Sequence, residues 1–250
     1  MYNFFAEKNS RKDNCYYITG SDFNHIKNVL RMSVGETFLV SENGISNLCK
    51  LNSFEGECVI AEIVEENYQD TNLPARIYLF QGLPKSDKLE LIIQKAIELG
   101  AEEIIPVEMS RCVVKLDDKK KKSKVQRWQA IAESAAKQSK RSSVPVVSDV
   151  LTFKQAVEKA SSLDCFIVPY ENKDGMKATK DALSEIKKNC SIGIMIGPEG
   201  GFDESEIETA ISAGGKTVSL GKRILRTETA AITSVAMCML YIEMNINGDD

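Results

Sequence analysis

Short apolar segments alternate with amphipathic ones from residue 77 to the end of the chain, and this alternation constrains the fold more than any other feature. Strand-like segments cover residues 77–81, 103–107, 144–150, 165–169, 192–196 and 217–220. Segments with helical periodicity cover residues 88–99, 125–140, 153–161, 178–188, 204–213 and 227–245. Such alternation predicts a mostly parallel α/β sheet covered by helices on both faces. Asp87 and Glu90 predict a capping box on the first of these helices.

The first 70 residues have a different pattern, in which short β-branched or aromatic segments are separated by glycines. The predicted strands cover residues 15–19, 37–41, 45–51 and 57–64, and one helix is predicted over residues 22–31. This pattern is typical of a small β-barrel. A polar stretch followed by Pro74 predicts a linker. We therefore expect two domains, residues 1–70 and 74–250.

Seven scattered cysteines, none in a CxxC pair, and a single histidine limit the chemistry that the chain can carry. They disfavour a zinc site or a disulfide framework and favour a reducing cytoplasm. A hydrolase triad would have to be built on His25 alone. No apolar run approaches the roughly 18 residues of a membrane span, and the start lacks a signal-peptide pattern. We therefore expect a cytoplasmic protein without a metal or a membrane partner.

A strongly basic segment, residues 111–141, lies within a chain of net charge −4. It holds eleven basic and three acidic residues, whereas residues 1–70 hold six basic and eleven acidic ones. A basic cluster attracts polyanions and is typical of nucleic-acid binding. A solvated lysine loop is the alternative interpretation of residues 119–124.

Two loops at strand ends stand out. The glycine loop, residues 197–202, reads Gly-Pro-Glu-Gly-Gly-Phe and follows a continuous apolar strand, where ligands collect in parallel sheets. It matches neither a Walker A loop nor a dinucleotide fingerprint. A tight turn, with Asp203 and Glu206 forming a capping box, is the alternative interpretation.

The arginine loop, residues 219–226, carries Arg223 and Arg226 on either side of Ile-Leu. A surface turn with an exposed Arg226–Glu228 ion pair is the alternative interpretation. The helix that follows is apolar on nearly every side between residues 230 and 242. Such a helix predicts cover by its own core and by a partner subunit.

The two loops together closely resemble those of the RsmE family of RNA methyltransferases, in the SPOUT superfamily. The matching motifs are Gly-Pro-Glu-Gly-Gly-Phe at 197–202 and Leu-Gly-x-Arg-Ile-Leu-Arg-x-Glu-Thr-Ala at 220–230, with further matches within 25–36, 88–100 and 128–145. The resemblance implies a PUA-like β-barrel followed by a SPOUT domain whose carboxyl-terminal chain is tied in a trefoil knot. It also implies a homodimer that methylates N3 of one uridine in 16S ribosomal RNA, within the assembled small subunit, with S-adenosylmethionine as donor and no metal.

The resemblance also assigns site residues. The expected S-adenosylmethionine site comprises Val168, Pro169, Tyr170, Gly197, Pro198, Glu199, Gly200, Gly201, Leu220, Gly221, Ile224, Leu225 and Arg226. Because N3 of uridine is not nucleophilic while protonated, Arg226, helped by Arg223, is expected to favour the anion, and Glu199 or Glu228 to accept the proton. The expected RNA contacts are His25, Arg31, Arg111, Lys115, Arg141 and Arg223.

Two alternatives remain open at this point. One is another RNA methyltransferase of the SPOUT superfamily, for example one that acts on a ribose 2′-oxygen. The other is a non-catalytic RNA-binding protein on the same fold.

Overall fold

The chain divides into two compact units, of which the first contains residues 1–72 and 136–144 and the second contains residues 73–135 and 145–250. The computed structural model describes residues 1–170 and 175–246. Within these residues, no helix is both long enough and apolar enough to cross a membrane.

The first unit is built on a six-stranded sheet with the order β1-β4-β5-β6-β3-β2. Its strands are β1 (Asn3–Phe5), β2 (Arg11–Lys12), β3 (Cys15–Ile18), β4 (Thr37–Glu42), β5 (Ile45–Glu55) and β6 (Cys58–Gln69). A short helix, α1 (Gly20–Asn24), continues into a π-helical turn, His25–Val29. The four predicted strands and the predicted helix are confirmed, but β1 and β2 are too short to give a periodic signal in the sequence.

The sheet of the first unit curls around a single apolar core. Phe4 on β1 and Tyr16 and Ile18 on β3 belong to this core, although β1 and β3 lie near opposite ends of the strand order. A register shift between Leu51 and Ser53 interrupts the pairing of the two longest strands, and such irregularities bend a sheet. The fold is therefore of the small barrel-like kind that the sequence predicts.

Residues 136–144 complete the first unit, although they lie far along the chain. Asn3 Nδ2 donates a hydrogen bond to the Arg141 carbonyl oxygen at 2.9 Å, and Ser142 Oγ donates one to Asn72 Oδ1 at 2.9 Å. Asn3 and Arg141 are both 4% exposed. Nothing in the local sequence predicts this segment, because its partners are 70 or more residues away.

The second unit is built on a seven-stranded sheet, which confirms the predicted α/β class. Its strands are β7 (Arg76–Gly82), β8 (Ala101–Glu108), β9 (Val146–Val147), β10 (Leu151–Thr152), β11 (Cys165–Pro169), β12 (Ser191–Ile196) and β13 (Lys216–Val218). The order is β10-β8-β7-β12-β11-β13, β9 also pairs with β8, and all of these pairs are parallel. The central strand β12 is buried throughout, which explains its apolar sequence. The trefoil knot stays a prediction.

The helices of this alternating pattern are α2 (Lys88–Glu98), α3 (Asp118–Gln138), α4 (Phe153–Ser161), α5 (Met176–Leu183), α6 (Glu204–Ser212) and α7 (Thr227–Asn245). The last helix, α7, packs mainly on α2 and also contacts β7 and β12. Its residues Ala231, Val235, Cys238 and Ile242 form a fully buried face.

Three local predictions are wrong. The strand over 144–150 is replaced by the two-residue strands β9 and β10 at one side of β8, with residues 148–150 between them. The helix predicted to start at residue 125 begins earlier, at Asp118, so the loop conformation of the alternative interpretation of residues 119–124 is also wrong, although Lys119, Lys120 and Lys122 are exposed. Asp87 makes no side-chain cap, because its backbone is not in the extended conformation that a capping residue adopts.

Candidate active site

The glycine loop and the arginine loop lie at the same edge of the second unit's sheet, beyond the carboxyl ends of parallel strands. The glycine loop follows β12, and the arginine loop follows β13. A third segment, around Tyr170, follows β11, which pairs with both of these strands. The sequence-predicted segments therefore leave the sheet side by side.

Thr227, the first residue of α7, joins the arginine loop to the glycine loop. Its Oγ1 donates a hydrogen bond to the Gly197 carbonyl oxygen at 2.7 Å. It also accepts one at 3.0 Å from Gln81 Nε2, which in turn donates to the Gly82 carbonyl oxygen at 2.8 Å. Thr227 is 6% exposed and Gln81 is fully buried. The ends of β7 and β12 and the start of α7 are thus held in one buried network.

The packing around the glycine loop leaves no room for a side chain at two positions, Gly82 and Gly197. A Cβ on Gly82 would lie 2.7 Å from Pro198 Cδ, and a Cβ on Gly197 would lie 3.1 Å from the backbone nitrogen of Phe202. Gly201 has a φ of +68°, in the left-handed region that glycine adopts without strain. The loop is therefore a folded-back turn in which the exposed Gly200 presents only backbone groups.

The capping box predicted after this loop is confirmed, and its glutamate has a second role. Glu206 is 5% exposed. Its Oε2 accepts a hydrogen bond from the Asp203 amide at 2.9 Å, and its Oε1 accepts one from the Ser110 amide at 2.8 Å. Arg111 Nη1 adds a hydrogen bond to the Gly200 carbonyl oxygen at 3.1 Å. The segment after β8 therefore holds the glycine loop, and Arg111 contacts protein at the position where the sequence predicts an RNA contact.

The third segment is tied to the other two. The Tyr170 amide donates to the Val218 carbonyl oxygen at 3.0 Å, and the Tyr170 ring lies 6.5 Å from that of Phe202, edge to face. Thr179 Oγ1 on α5 donates to the Ser219 carbonyl oxygen at 2.7 Å. Of the remaining predicted residues of the two segments, Val168 is buried, and Pro169, Leu220, Gly221 and Leu225 are half-buried.

Glu199 and Glu228, the two candidate proton acceptors, both contact Lys88, a residue that is not predicted from the sequence to belong to the site. Lys88 Nζ lies 3.0 Å from Glu199 Oε1 and 3.5 Å from Glu228 Oε2. Glu199 Oε1 also accepts a hydrogen bond from the Lys85 amide at 3.0 Å. Glu228 Oε2 is buried and makes no hydrogen bond to any residue that the structure describes. The ion partner of Glu228 is thus Lys88, and the predicted Arg226–Glu228 pair is not formed in the described part of the chain.

The pKa values of this group follow from its contacts. Burial raises the pKa of Glu199, but hydrogen bonds from its own amide and the Lys85 amide, together with the Lys88 ammonium, outweigh burial and bring the pKa below its ordinary value. The hydrogen bond to Glu199 raises the pKa of Lys88 above its ordinary value, against a smaller effect of desolvation. Glu199 and Lys88 are therefore both charged at neutral pH.

The arginines and the remaining cations are mostly exposed. Arg223, Arg226 and Ile224 are exposed, and Arg226 makes no side-chain cap at the start of α7. Lys115 in the second unit is exposed, and so are His25 and Arg31 in the first unit. Arg31 has a φ of +53° and follows Leu30, the residue that ends the π-helical turn. Arg141, in contrast, is buried, which disfavours a direct contact with a phosphate.

The chemistry of the loops fits S-adenosylmethionine better than a phosphorylated ligand. The turn presents backbone groups, which suit an uncharged purine, and two carboxylates stand beside it, which suit a sulfonium and an ammonium but repel phosphate. The residues that would hold the donor are those of the glycine loop, the arginine loop and the Tyr170 segment. No cluster of three or more His, Cys, Asp or Glu able to hold a metal occurs in residues 1–170 and 175–246.

Comparisons with known proteins match both units. The family profile described as an RNA methyltransferase domain matches residues 71–239, and that of the RNA methyltransferase PUA domain matches residues 18–66. Ribosomal RNA small subunit methyltransferase E of Bacillus subtilis is 42% identical over 238 residues, which cover 94% of this chain and 93% of that protein. The protein of that name from Mesomycoplasma hyopneumoniae is 32% identical, over 96% of this chain and 99% of its own. The crystal structure of the Neisseria gonorrhoeae protein of that name, bound to S-adenosyl methionine, is 33% identical, with a TM-score of 0.79 over 94% of this chain and 96% of that one.

Proposed function

Because the chain belongs to the ribosomal RNA small subunit methyltransferase E family, we propose that it methylates N3 of one uridine in 16S ribosomal RNA with S-adenosylmethionine as donor. The main support for the proposal is the hydrogen bond from Thr227 to Gly197, which holds the arginine loop and the glycine loop together at one edge of the sheet. When bound, S-adenosylmethionine supplies an electrophilic methyl group on a sulfonium.

Arg226 has the charge and the position to favour the uridine anion. N3–H lies between two carbonyl groups, and a guanidinium that donates to one of those oxygens stabilises the negative charge that follows loss of the proton. Arg226 directly precedes Thr227, so the network around Gly197 fixes its backbone at the point where the loops meet. The exposed Arg223 is placed to assist on the same loop.

Glu228 is the better supported of the two candidate proton acceptors. Glu199 Oε1 already receives two donors, the Lys85 amide and the Lys88 ammonium. Glu228 Oε2 makes no hydrogen bond within the described chain and has only the longer ion-pair contact with Lys88, at 3.5 Å, so it is the less engaged of the two acceptors. Glu228 would take the proton from uridine N3, and the N3 anion would then bond to the methyl carbon of S-adenosylmethionine as the methyl–sulfur bond breaks and S-adenosylhomocysteine leaves.

Exposed cations in each unit support contact with ribosomal RNA. In the first unit these are His25 and Arg31, and in the second they include Lys115, Lys119, Lys122 and Arg223. The acidic balance of residues 1–70 is reduced within the first unit, because residues 136–144 add Lys137, Lys140 and Arg141, so that the unit holds nine basic residues (six and three) and eleven acidic ones. We infer that the substrate is the assembled small subunit, since the target base must be presented in a fixed position.

Exposed apolar residues on α2 and α7 support a homodimer. Leu91 is 43% exposed, Leu240 is 49% exposed and Met244 is 71% exposed, on two helices that pack together. All seven cysteines are free thiols, which suits the cytoplasm, where the ribosomal substrate is also found.

The test is to incubate the protein with S-adenosylmethionine and small subunits that lack the modification, and then to digest the RNA and identify the methylated nucleoside by mass spectrometry. We expect 3-methyluridine at one position. A 2′-O-methylated nucleoside would instead support the ribose methyltransferase alternative. Absence of S-adenosylmethionine binding in calorimetry would support a non-catalytic RNA-binding protein.

A further inference from the structure

Lys88 connects three elements that the fold brings to one edge of the sheet. It is the first residue of α2, and its ammonium contacts Glu199 of the glycine loop and Glu228 on the first turn of α7. A lysine at a helix start is disfavoured by the helix dipole, which favours acidic residues there. Its position is therefore explained by its two partners and not by the helix.

The two carboxylates are close enough to repel each other strongly without this lysine. Because one nitrogen lies 3.0 Å from Glu199 Oε1 and 3.5 Å from Glu228 Oε2, the two oxygens are at most 6.5 Å apart. The side chains of Glu199 and Glu228 are 27% and 15% exposed, so water screens them only in part. When two carboxyls share such a site, one of them tends to keep its proton.

We propose that Lys88 is a positioning residue that offsets the repulsion between Glu199 and Glu228 and aims both carboxylates between the two loops, where one of them accepts the uridine proton. This inference rests on the proposed function. It assigns a role to a residue that acts through the two carboxylates that it contacts.

The other charged groups on these elements do not replace Lys88. Lys85 contributes its backbone amide to Glu199, and Glu90 on α2 is paired with Arg127 at 2.8 Å. Asp87 precedes α2 and adds negative charge, and Arg226 precedes α7 with its side chain exposed. Within the described chain, Lys88 is thus the only side-chain cation in ion-pair contact with both carboxylates.

The test compares methyl transfer by Lys88→Met and the wild type from pH 6 to pH 9. Without Lys88 the repulsion raises the pKa of one carboxyl toward neutrality. We therefore expect the rate of the variant relative to wild type to be about tenfold lower at pH 6 than at pH 8.5. Lys88→Arg keeps the charge, so its rate relative to wild type should be nearly independent of pH. Lys95→Met is the matched control, because Lys95 lies on the same helix and pairs only locally, with Glu98 at 2.9 Å.

A second variant removes the repulsion itself. In Lys88→Met combined with Glu199→Gln only one carboxyl remains, so the ratio should again become independent of pH. A Lys88→Met ratio that is constant with pH, or a double variant that retains the pH dependence of the single one, would overturn the proposal. Either result would mean that Lys88 serves packing alone.

A titration of the free protein separates this inference from the proposed function. Carbon-13 NMR of labelled glutamate carboxyls should show one carboxyl that titrates at least about one pH unit higher in Lys88→Met than in wild type. If wild type transfers no methyl group but this shift occurs, the proposed function fails and the role of Lys88 stands. If methyl transfer is normal and no carboxyl shifts, the role of Lys88 is refuted.

Discussion

The substitution Thr227→Val tests whether the two loops are held together by the buried network around Gly197. Valine has nearly the same shape as threonine but neither donates to the Gly197 carbonyl oxygen nor accepts from Gln81 Nε2, contacts that are 2.7 and 3.0 Å long. Each buried group left without its partner costs about 1–3 kcal/mol. Gln81 Nε2 keeps its bond to the Gly82 carbonyl oxygen, so the lower part of the range applies to it. We expect a total loss of about 2–4 kcal/mol in the free energy of unfolding.

Urea unfolding measures this loss, and calorimetry measures S-adenosylmethionine binding to the folded variant. A released loop must be ordered again by the ligand, so we expect the affinity to fall about tenfold, or about 1.4 kcal/mol. Thr229→Val is the matched control, because Thr229 is exposed two residues further along α7, and it should change stability by less than about 0.5 kcal/mol. The reasoning is refuted if Thr227→Val and Thr229→Val have the same stability and the same affinity.

Three further predictions concern the same edge of the sheet and the basic helix. Gly82→Ala places a Cβ 2.7 Å from Pro198 Cδ and should lower the free energy of unfolding in urea by about 1–3 kcal/mol; unchanged stability would contradict the packing argument. Arg226→Ala should reduce methyl transfer at saturating S-adenosylmethionine by about 100-fold or more, and normal transfer under this condition would rule out its role toward the anion. Lys119→Gln with Lys122→Gln should lower the slope of log affinity against log salt for small subunits by about 2, and an unaltered slope would show that these lysines do not face RNA.

The sequence predicts those parts of the fold whose causes are local. The apolar run of β12 and the box formed by Asp203 and Glu206 are read correctly, because each depends on residues within one or two turns. The predicted alternation of strands and helices also gives the positions of both loops, since the carboxyl ends of parallel strands share one edge of the sheet. The segment 144–150 is the exception, because its sequence is typical of one strand, yet it pairs with β8 only at Val146–Val147 before the chain pairs with β8 again at Leu151–Thr152.

The contacts that assemble the candidate site could not be predicted in this way. Lys88 meets Glu199 and Glu228 across 111 and 140 residues of chain, and only its unfavourable place at a helix start signals a partner. Arg111 reads as a surface cation within a basic segment, yet it binds the Gly200 carbonyl oxygen. Charge type alone does not distinguish a residue that faces RNA from one that holds a loop. The surroundings of such a residue depend on the order of strands that are distant in sequence.

The late segment that completes the first unit has a consequence for the order of events during synthesis. The side-chain amide of Asn3 is synthesised 138 residues before its buried partner, the carbonyl of Arg141. This hydrogen bond of the first unit can therefore form only after the whole of α3 has been translated. A chain that ends at residue 72 would leave Asn3 and Asn72 without these hydrogen-bond partners. We therefore expect the first unit to fold completely only when residues 136–144 are present.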